Sequence, residues 1–232
     1  DSRFGPLVKE GRFRFVSTHD DDRRLLGPLG LDLGFGPTEG DDLLAVISRN
    51  ANPSKIDAFL HRSTDLDVAW DPATGAVRSV VTVTLRNDAP AGGLPDYVIG
   101  NSSNLPPGTN ISDLAVLTPF EATRATVDGV DAQVSPLRDA DVWRHTVRVT
   151  IPPGGTVTVR FELEGDVEVG KRYRLHFAGQ PLVNDGKVAL KVTATDPHDR
   201  VVDGPGISVN GPTATADLTD VGRTDLTLQV RR

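Results

Sequence analysis

The feature that most constrains this chain is strict apolar–polar alternation in one run after another, a period of two that suits a half-buried strand. In Val77–Arg86, Val77, Val81, Val83 and Leu85 fall on one face and Arg78, Thr82, Thr84 and Arg86 on the other. Asp65–Trp70 sets Leu66, Val68 and Trp70 against Asp65 and Asp67. Between these runs, Asp71-Pro72-Ala73-Thr74-Gly75 has the length and turn chemistry of a hairpin. Trp143, His145, Val147, Val149 and Ile151 share a face, and after Pro152-Pro153-Gly154-Gly155 the run Val157, Val159, Phe161 and Leu163 reads as its antiparallel return. Tyr173/Leu175/Phe177, Val188/Leu190/Val192 and Leu226/Leu228/Val230 alternate in the same way, with shorter candidates at Leu114–Leu117, Ala125–Val127 and Ala214–Leu218.

Composition points the same way. Val (28) and Thr (21) together make up about a fifth of the 232 residues, and β-branched side chains fit a pleated sheet. Asp outnumbers Glu 26 to 6, which favours turns and caps over helices. The sequence therefore predicts a mainly β fold. It is an antiparallel β-sandwich (Ig-like) at 64–168, preceded by a small α/β segment at 1–63 that completes an upstream domain and followed by a smaller β unit at 169–232. Two small sandwiches in series fit the pattern as well, and Gly165–Lys171 marks the break.

Within 1–63 the reading is a strand at Arg12–Ser17, then a short helix capped by Thr18 or Asp20, carrying Leu25 and Leu26 and ended by Gly27-Pro28. Gly30–Gly40 reads as a plain connection, because Pro37 and a following strand do not suit a phosphate loop. Leu43–Ser48 reads as a buried strand. Ser54–Arg62 has Ile56, Phe59 and Leu60 at helical spacing, a face expected to pack on Tyr97, Val98 and Ile99 as a joint with the sandwich.

Several classes of function are excluded or left without support. Cysteine is absent, which removes disulfides and thiolate chemistry, and a net charge of -7 argues against nucleic acid as a partner. No apolar run approaches the ~20 residues of a membrane-spanning helix. Asp20-Asp21-Asp22 reads as helix-start carboxylates, and Asp196, Asp199 and Asp203 as a solvated loop with weak Ca²⁺ binding as the alternative. The five histidines show no metal spacing: His145 reads as a core residue and His176 as solvated. The sequence thus assigns no catalytic residue, no metal ligand and no cofactor. The candidate interface is Lys55, Asp57, His61 and Arg62, exposed or at the sandwich seam, with Asp96, Tyr97 and Asn101 in the loop that follows.

Six ordered segments carry a family resemblance. They are Asn52–Ser63, Asp71–Gly75, Val83–Pro90, Leu94–Asn101, Leu105–Asn110 and Gln180–Asn184 (Gln-Pro-Leu-Val-Asn). From about Gly11 to Val192 the chain resembles the C-terminal region of the DUF4012 proteins, a family of unknown function frequent in actinobacteria. The resemblance implies a larger, extracytoplasmic envelope protein, with a membrane segment and a further domain upstream. The absence of an initiating Met at Asp1 fits that expectation. Two functions are carried forward. One is a non-catalytic binding or structural module facing a cell-wall glycan or another envelope protein. The other is part of an enzyme of envelope-polymer assembly or hydrolysis, with its groups upstream or converging here from Asp57, His61 and Arg62.

Overall fold

The computed structural model describes residues 4–13, 17–26, 40–139, 141–196, 198–201 and 206–231. Its first nine strands are β1 (Asp42–Asn50), β2 (Leu60–Trp70), β3 (Ala76–Asn87), β4 (Asn110–Thr118), β5 (Glu121–Val127), β6 (Val130–Asp131), β7 (Ser135–Asp139), β8 (Val142–Ile151) and β9 (Thr156–Asp166). Six more follow: β10 (Arg172–Ala178), β11 (Lys187–Ala194), β12 (Arg200–Val201), β13 (Ser208–Asn210), β14 (Thr213–Thr219) and β15 (Arg223–Arg231). Short helices α1 (Phe4–Lys9), α2 (Asp20–Leu26) and α3 (Asp96–Ile99) complete the described elements, with one 3-10 turn at Ile56–Phe59.

The strands form two sheets. One has the order β12-β15-β10-β1-β4-β8-β7, and the other β13-β14-β11-β2-β3-β9-β5-β6. A single apolar core lies between them, with Leu44, Val116 and Val147 from the first sheet against Val68, Val83 and Phe161 from the second. The alternation read from the sequence is the burial pattern of the strands: β2 and β3 bury every second residue. Trp70 and Tyr173, both fully buried, meet across the core with ring centroids 5.6 Å apart, a contact worth about 0.5–1.5 kcal/mol beyond the area it buries.

The sheets are mixed rather than purely antiparallel. β1 pairs with β10, and β2 with β11, in parallel. Strands from the expected segments 1–63, 64–168 and 169–232 therefore share both sheets, and the C-terminal strands extend them instead of building a separate pair. These two parallel pairings lie one in each sheet and form a seam between an N-terminal and a C-terminal half. Parallel neighbours cannot be joined by a tight turn, so no local signal in the sequence announces them.

Two local expectations change. The hairpin at Asp71–Gly75 is present, with Gly75 N–H donating to the Asp71 carbonyl at 2.8 Å. Gly75 has φ +81°, and a Cβ there would lie 2.4 Å from the Val167 carbonyl oxygen, so only glycine fits. Pro152–Gly155 is a different case: β8 and β9 belong to opposite sheets, and the turn carries the chain across the core. Buried Asn87 holds this crossing, its Nδ2 donating to the carbonyls of Gly108, Ile151 and Pro152 at 2.8, 3.0 and 3.1 Å. The helix expected over Ser54–Arg62 shrinks to the 3-10 turn, because Leu60, His61 and Arg62 pair with Asn87, Arg86 and Leu85 in β2–β3.

At the N-terminus, the acidic triplet does occupy the first turn of α2. Arg12, Phe13 and Ser17 lie in no strand. The rest of that expected strand, the Gly27-Pro28 stop, the Gly30–Gly36 stretch with Pro37 and the Asp203 position lie outside the described residues.

Candidate functional site

The strand phase puts Tyr173, Leu175 and Phe177 of β10 into the core and turns Arg172, Arg174 and His176 outward. On β15 the outward phase holds Asp225, Thr227, Gln229 and Arg231, and the register sets His176 opposite Asp225, Arg174 opposite Thr227 and Arg172 opposite Gln229. The turn before β10 supplies Glu168 and Lys171, and the residue before β1 supplies Asp41. Gly40, at φ +78°, brings this point close to Glu168, whose N–H donates to its carbonyl at 2.7 Å. On the outer face of the first sheet, where β10 begins and β15 ends, lies an open depression of about 620 Å³ with Asp41, Glu168, Lys171, Arg172, Arg174 and Arg231 in its wall and His176 and Asp225 next to it on their strands. That size falls in the range of ligand clefts.

The charged groups in the wall and next to it have two kinds of surroundings. Asp41 Oδ2 lies 3.1 Å from His176 Nε2 and 3.5 Å from Arg174 Nη1, and His176 Nδ1 lies 2.7 Å from Asp225 Oδ1. His176, its side chain 16 % exposed, is thus clamped between two carboxylates and not simply solvated as the alternation suggested. Lys171, Arg172 and Arg231, in contrast, form no ion pair among the described residues and are exposed.

Beneath this surface lies a buried titratable pair. Asp42, inward on β1, accepts a hydrogen bond from the Tyr173 hydroxyl. Burial pushes the Asp42 carboxyl up to about 7, opposed by the phenol's hydrogen bond, the Leu43 backbone amide and the charge of His176. Burial also raises Tyr173 well above the usual phenol range, and the neighbouring Asp42 adds to it.

The seven residues expected at an interface do not form one site. Arg62 is the clearest correction: it is 3 % exposed and points into the core at the far end of the seam. Its Nε and Nη2 donate to Asp220 Oδ2 at 2.8 and 2.6 Å, and Nη1 donates to Gln180 Oε1 at 2.8 Å and Ser48 Oγ at 3.2 Å. Burial lowers the Arg62 pKa, and the charge and hydrogen bonds of Asp220 oppose this. His61, on the opposite strand face, lies 3.2 Å from Asp88. Asp57 is half-buried, accepts from Asn110 Nδ2 at 3.1 Å, and has its pKa raised by burial.

Lys55, Asp96, Tyr97 and Asn101 stay together at the loop-rich end. Lys55 N–H donates to the Tyr97 carbonyl at 3.0 Å, and Gly100 N–H donates to that of Asp96 at 2.7 Å. Asn101 closes its own loop, Nδ2 donating to the Leu105 carbonyl and Oδ1 accepting from Ser103 and Leu105 N–H. The expected joint is built on Ile56 and Ile99, both 0 % exposed, with Ala89 beside them and Phe59 and Val98 at the margin. Leu60 belongs to the main core instead, and Tyr97 is 68 % exposed.

The sequence reading missed Asp42, Lys171, Arg172, Arg174, Arg231 and Asp220. The outward phase of Arg172 and Arg174 was legible, but their meeting with Arg231 and Asp41 depends on pairings 50 or more residues apart, which leave no local trace. His145 is a core residue as expected, 3 % exposed, with Nε2 2.9 Å from the Phe120 carbonyl and its ring stacked on Trp143. Among the described residues no group of three or more His, Asp or Glu is arranged to hold a metal ion.

No model of a known protein family matches the chain, and no curated protein matches it. Solved structures similar to it include a candidate nutrient-binding protein from Legionella pneumophila, at 12% identity and a TM-score of 0.48 over 82% of this chain and 72% of that one. Yeast LTA4 hydrolase in complex with bestatin shows 10% identity and a TM-score of 0.45, over 78% of this chain and 31% of its own length. An M1 zinc metallopeptidase from Deinococcus radiodurans shows 13% and 0.38, over 73% and 42%. The chain spans less than half of each of these two enzymes. Likenesses of this strength carry no argument about activity.

Proposed function

We propose that the chain is a non-catalytic binding or structural module of a cell-envelope protein. It works outside the cytoplasm, is anchored to the membrane through a segment upstream, and contacts a cell-wall glycan or another envelope protein. The envelope setting rests on the resemblance to the DUF4012 proteins. The module reading rests on one observation, the state of the ionisable groups around the depression. Each ring nitrogen of His176 faces a carboxylate oxygen, and Asp41 is shared with Arg174. Among the described residues, the wall and His176 beside it therefore offer charge for contact but no nucleophile beside a free base. The enzyme reading loses its local support, because Asp57, His61 and Arg62 turn to three different partners: Asn110, Asp88 and Asp220.

Cell fractionation of the full-length protein, followed by co-sedimentation of this chain with purified cell-wall glycan, tests the proposal. The expected result is recovery in the envelope fraction and sedimentation without change in the glycan's chain length. Recovery in the cytosol, or shortening of the glycan by the purified protein, would overturn it.

A further inference from the structure

In a chain of net charge -7, the depression beside Asp41 gathers four cations against two carboxylates. Most arginines elsewhere are spent on partners: Arg49 and Arg148 on Asp113, Arg62 on Asp220, Arg78 on Glu164, and Arg86 on Asp88. Lys171, Arg172 and Arg231 have no such partner among the described residues. Arg172 pairs in register with Gln229, which makes Arg231 its diagonal neighbour on the same outward face, about 7–8 Å away. Both arginines sit on hydrogen-bonded strands, so their backbones are fixed before any ligand arrives and the ordering that opposes binding is confined to the side chains.

We infer that this depression is a binding site for an acidic glycan, a saccharide chain carrying carboxylate or phosphodiester groups, held by Lys171, Arg172 and Arg231. The inference rests on the envelope reading above for the class of polymer, and on the wall for the chemistry. Two guanidinium forks at that spacing can each take a carboxylate or phosphate through paired N–H donors, or share one, whereas Lys171 adds a point charge. The depression is open to solvent on the outer face of the sheet, which suits a segment of a continuing polymer better than an enclosed small molecule. Val169, 62 % exposed in the same wall, offers an apolar contact for the C–H face of a sugar ring, and Gln229 an amide for its hydroxyls.

Isothermal titration of the chain with polygalacturonate, dextran phosphate, neutral dextran and poly-glutamate tests this. One or both acidic glycans should bind, more weakly as salt rises because the cations are exposed, and the two show which anion is preferred. R172A/R231A should weaken that binding roughly tenfold or more, equivalent to at least ~1.4 kcal/mol. R144A, an exposed arginine outside the depression, should leave it within about twofold, and thermal melts should show both variants folded. Equal binding by R172A/R231A, equal binding of neutral dextran, or no binding to either acidic glycan would overturn the inference. Poly-glutamate bound as tightly as the acidic glycans would assign the site to an acidic protein partner instead. If the chain still sediments with cell-wall glycan while R172A/R231A has no effect, this site falls and the envelope reading stands. If the full-length protein is recovered in the cytosol, the envelope reading falls as well.

Discussion

At one end of the seam between the two halves, Asp220 is hydrogen-bonded by the Arg62 guanidinium; at the other, Asp42 is hydrogen-bonded only by a phenol and a backbone amide, and His176 acts on it through its charge alone. Ser48, which touches Arg62, is six residues from Asp42 along β1, or about 20 Å. Both carboxyls are nearly inaccessible, at 1 % and 3 % exposure. A buried carboxyl with a guanidinium beside it can keep its charge, though desolvation of both partners leaves little net gain. A buried carboxyl with no cation in hydrogen-bonding contact has its ionisation pushed up by burial, for Asp42 to about 7 even against the charge of His176. The Arg62 end is therefore an ion-paired joint, and the Asp42 end is a titrating one placed under the cationic depression.

The largest expected effect comes from breaking the joint at Arg62. Arg62→Ala leaves Asp220 buried without its cation and should cost about 3–5 kcal/mol in urea unfolding. Replacing both partners, Arg62→Met with Asp220→Leu, should recover most of that loss. A double variant no more stable than Arg62→Ala would show that the ion pair, and not the stranded charge, carries the stability. Next comes Asp42. Its folded value of about 7 lies above the ordinary 3.8, so the folded state binds the proton more tightly than the unfolded chain. Stability should fall as pH rises from about 4 to 7 and level off above that. The loss is bounded at ~4 kcal/mol by ~1.4 kcal/mol per pKa unit. Unfolding titrations of Asp42→Asn, which keeps an acceptor for Tyr173, should lack this fall, and a parallel pH profile in the variant would refute the assignment.

Asp57 offers an intermediate case, half-buried with one side-chain donor, Asn110. Its raised pKa gives the same sign as Asp42 and a smaller fall over the acid range, which Asp57→Asn should remove. Asp113 sharpens the contrast with the opposite sign. Hydrogen bonds from Arg148 hold it below the ordinary carboxylate range, so its contribution is present above about pH 4 and disappears as pH falls through the lowered value. Both arginines are well exposed, and Asp113→Asn should cost only about 1 kcal/mol or less at neutral pH. A loss as large as that of Arg62→Ala would mean that exposure of the cations is not what separates the two pairs.

Much of this molecule was legible in its sequence, and the physical reason is local. A strand that buries one face must alternate, so β2, β3, β8, β9, β10, β11 and β15 stand out from periodicity alone. The Asp71–Gly75 hairpin follows from turn residues that leave few other paths. The joint of Ile56 with Ile99 was likewise readable, since a one-turn element with apolar residues must bury them nearby. His61 and Arg62 were misread because helical spacing over Ser54–Arg62 competed with strand pairing, and pairing with β3 won.

Other features were decided by the tertiary structure. Pro152–Gly155 reads like the hairpin turn at Asp71–Gly75, yet it crosses the core, because which sheet a strand joins depends on partners far along the chain. The same holds for the parallel pairings β1–β10 and β2–β11, which fuse the halves. A polar residue in an alternating run has a defined face from sequence, but its neighbours across a parallel seam do not. By itself the sequence determined the strands, their buried faces and the absence of thiol chemistry. Only the assembled sheets decided that Arg62 would be a core cation facing Asp220, that Asp42 would be left to Tyr173, and that Arg172 and Arg231 would meet, because these contacts are set by long-range register, which residue order encodes only through the fold.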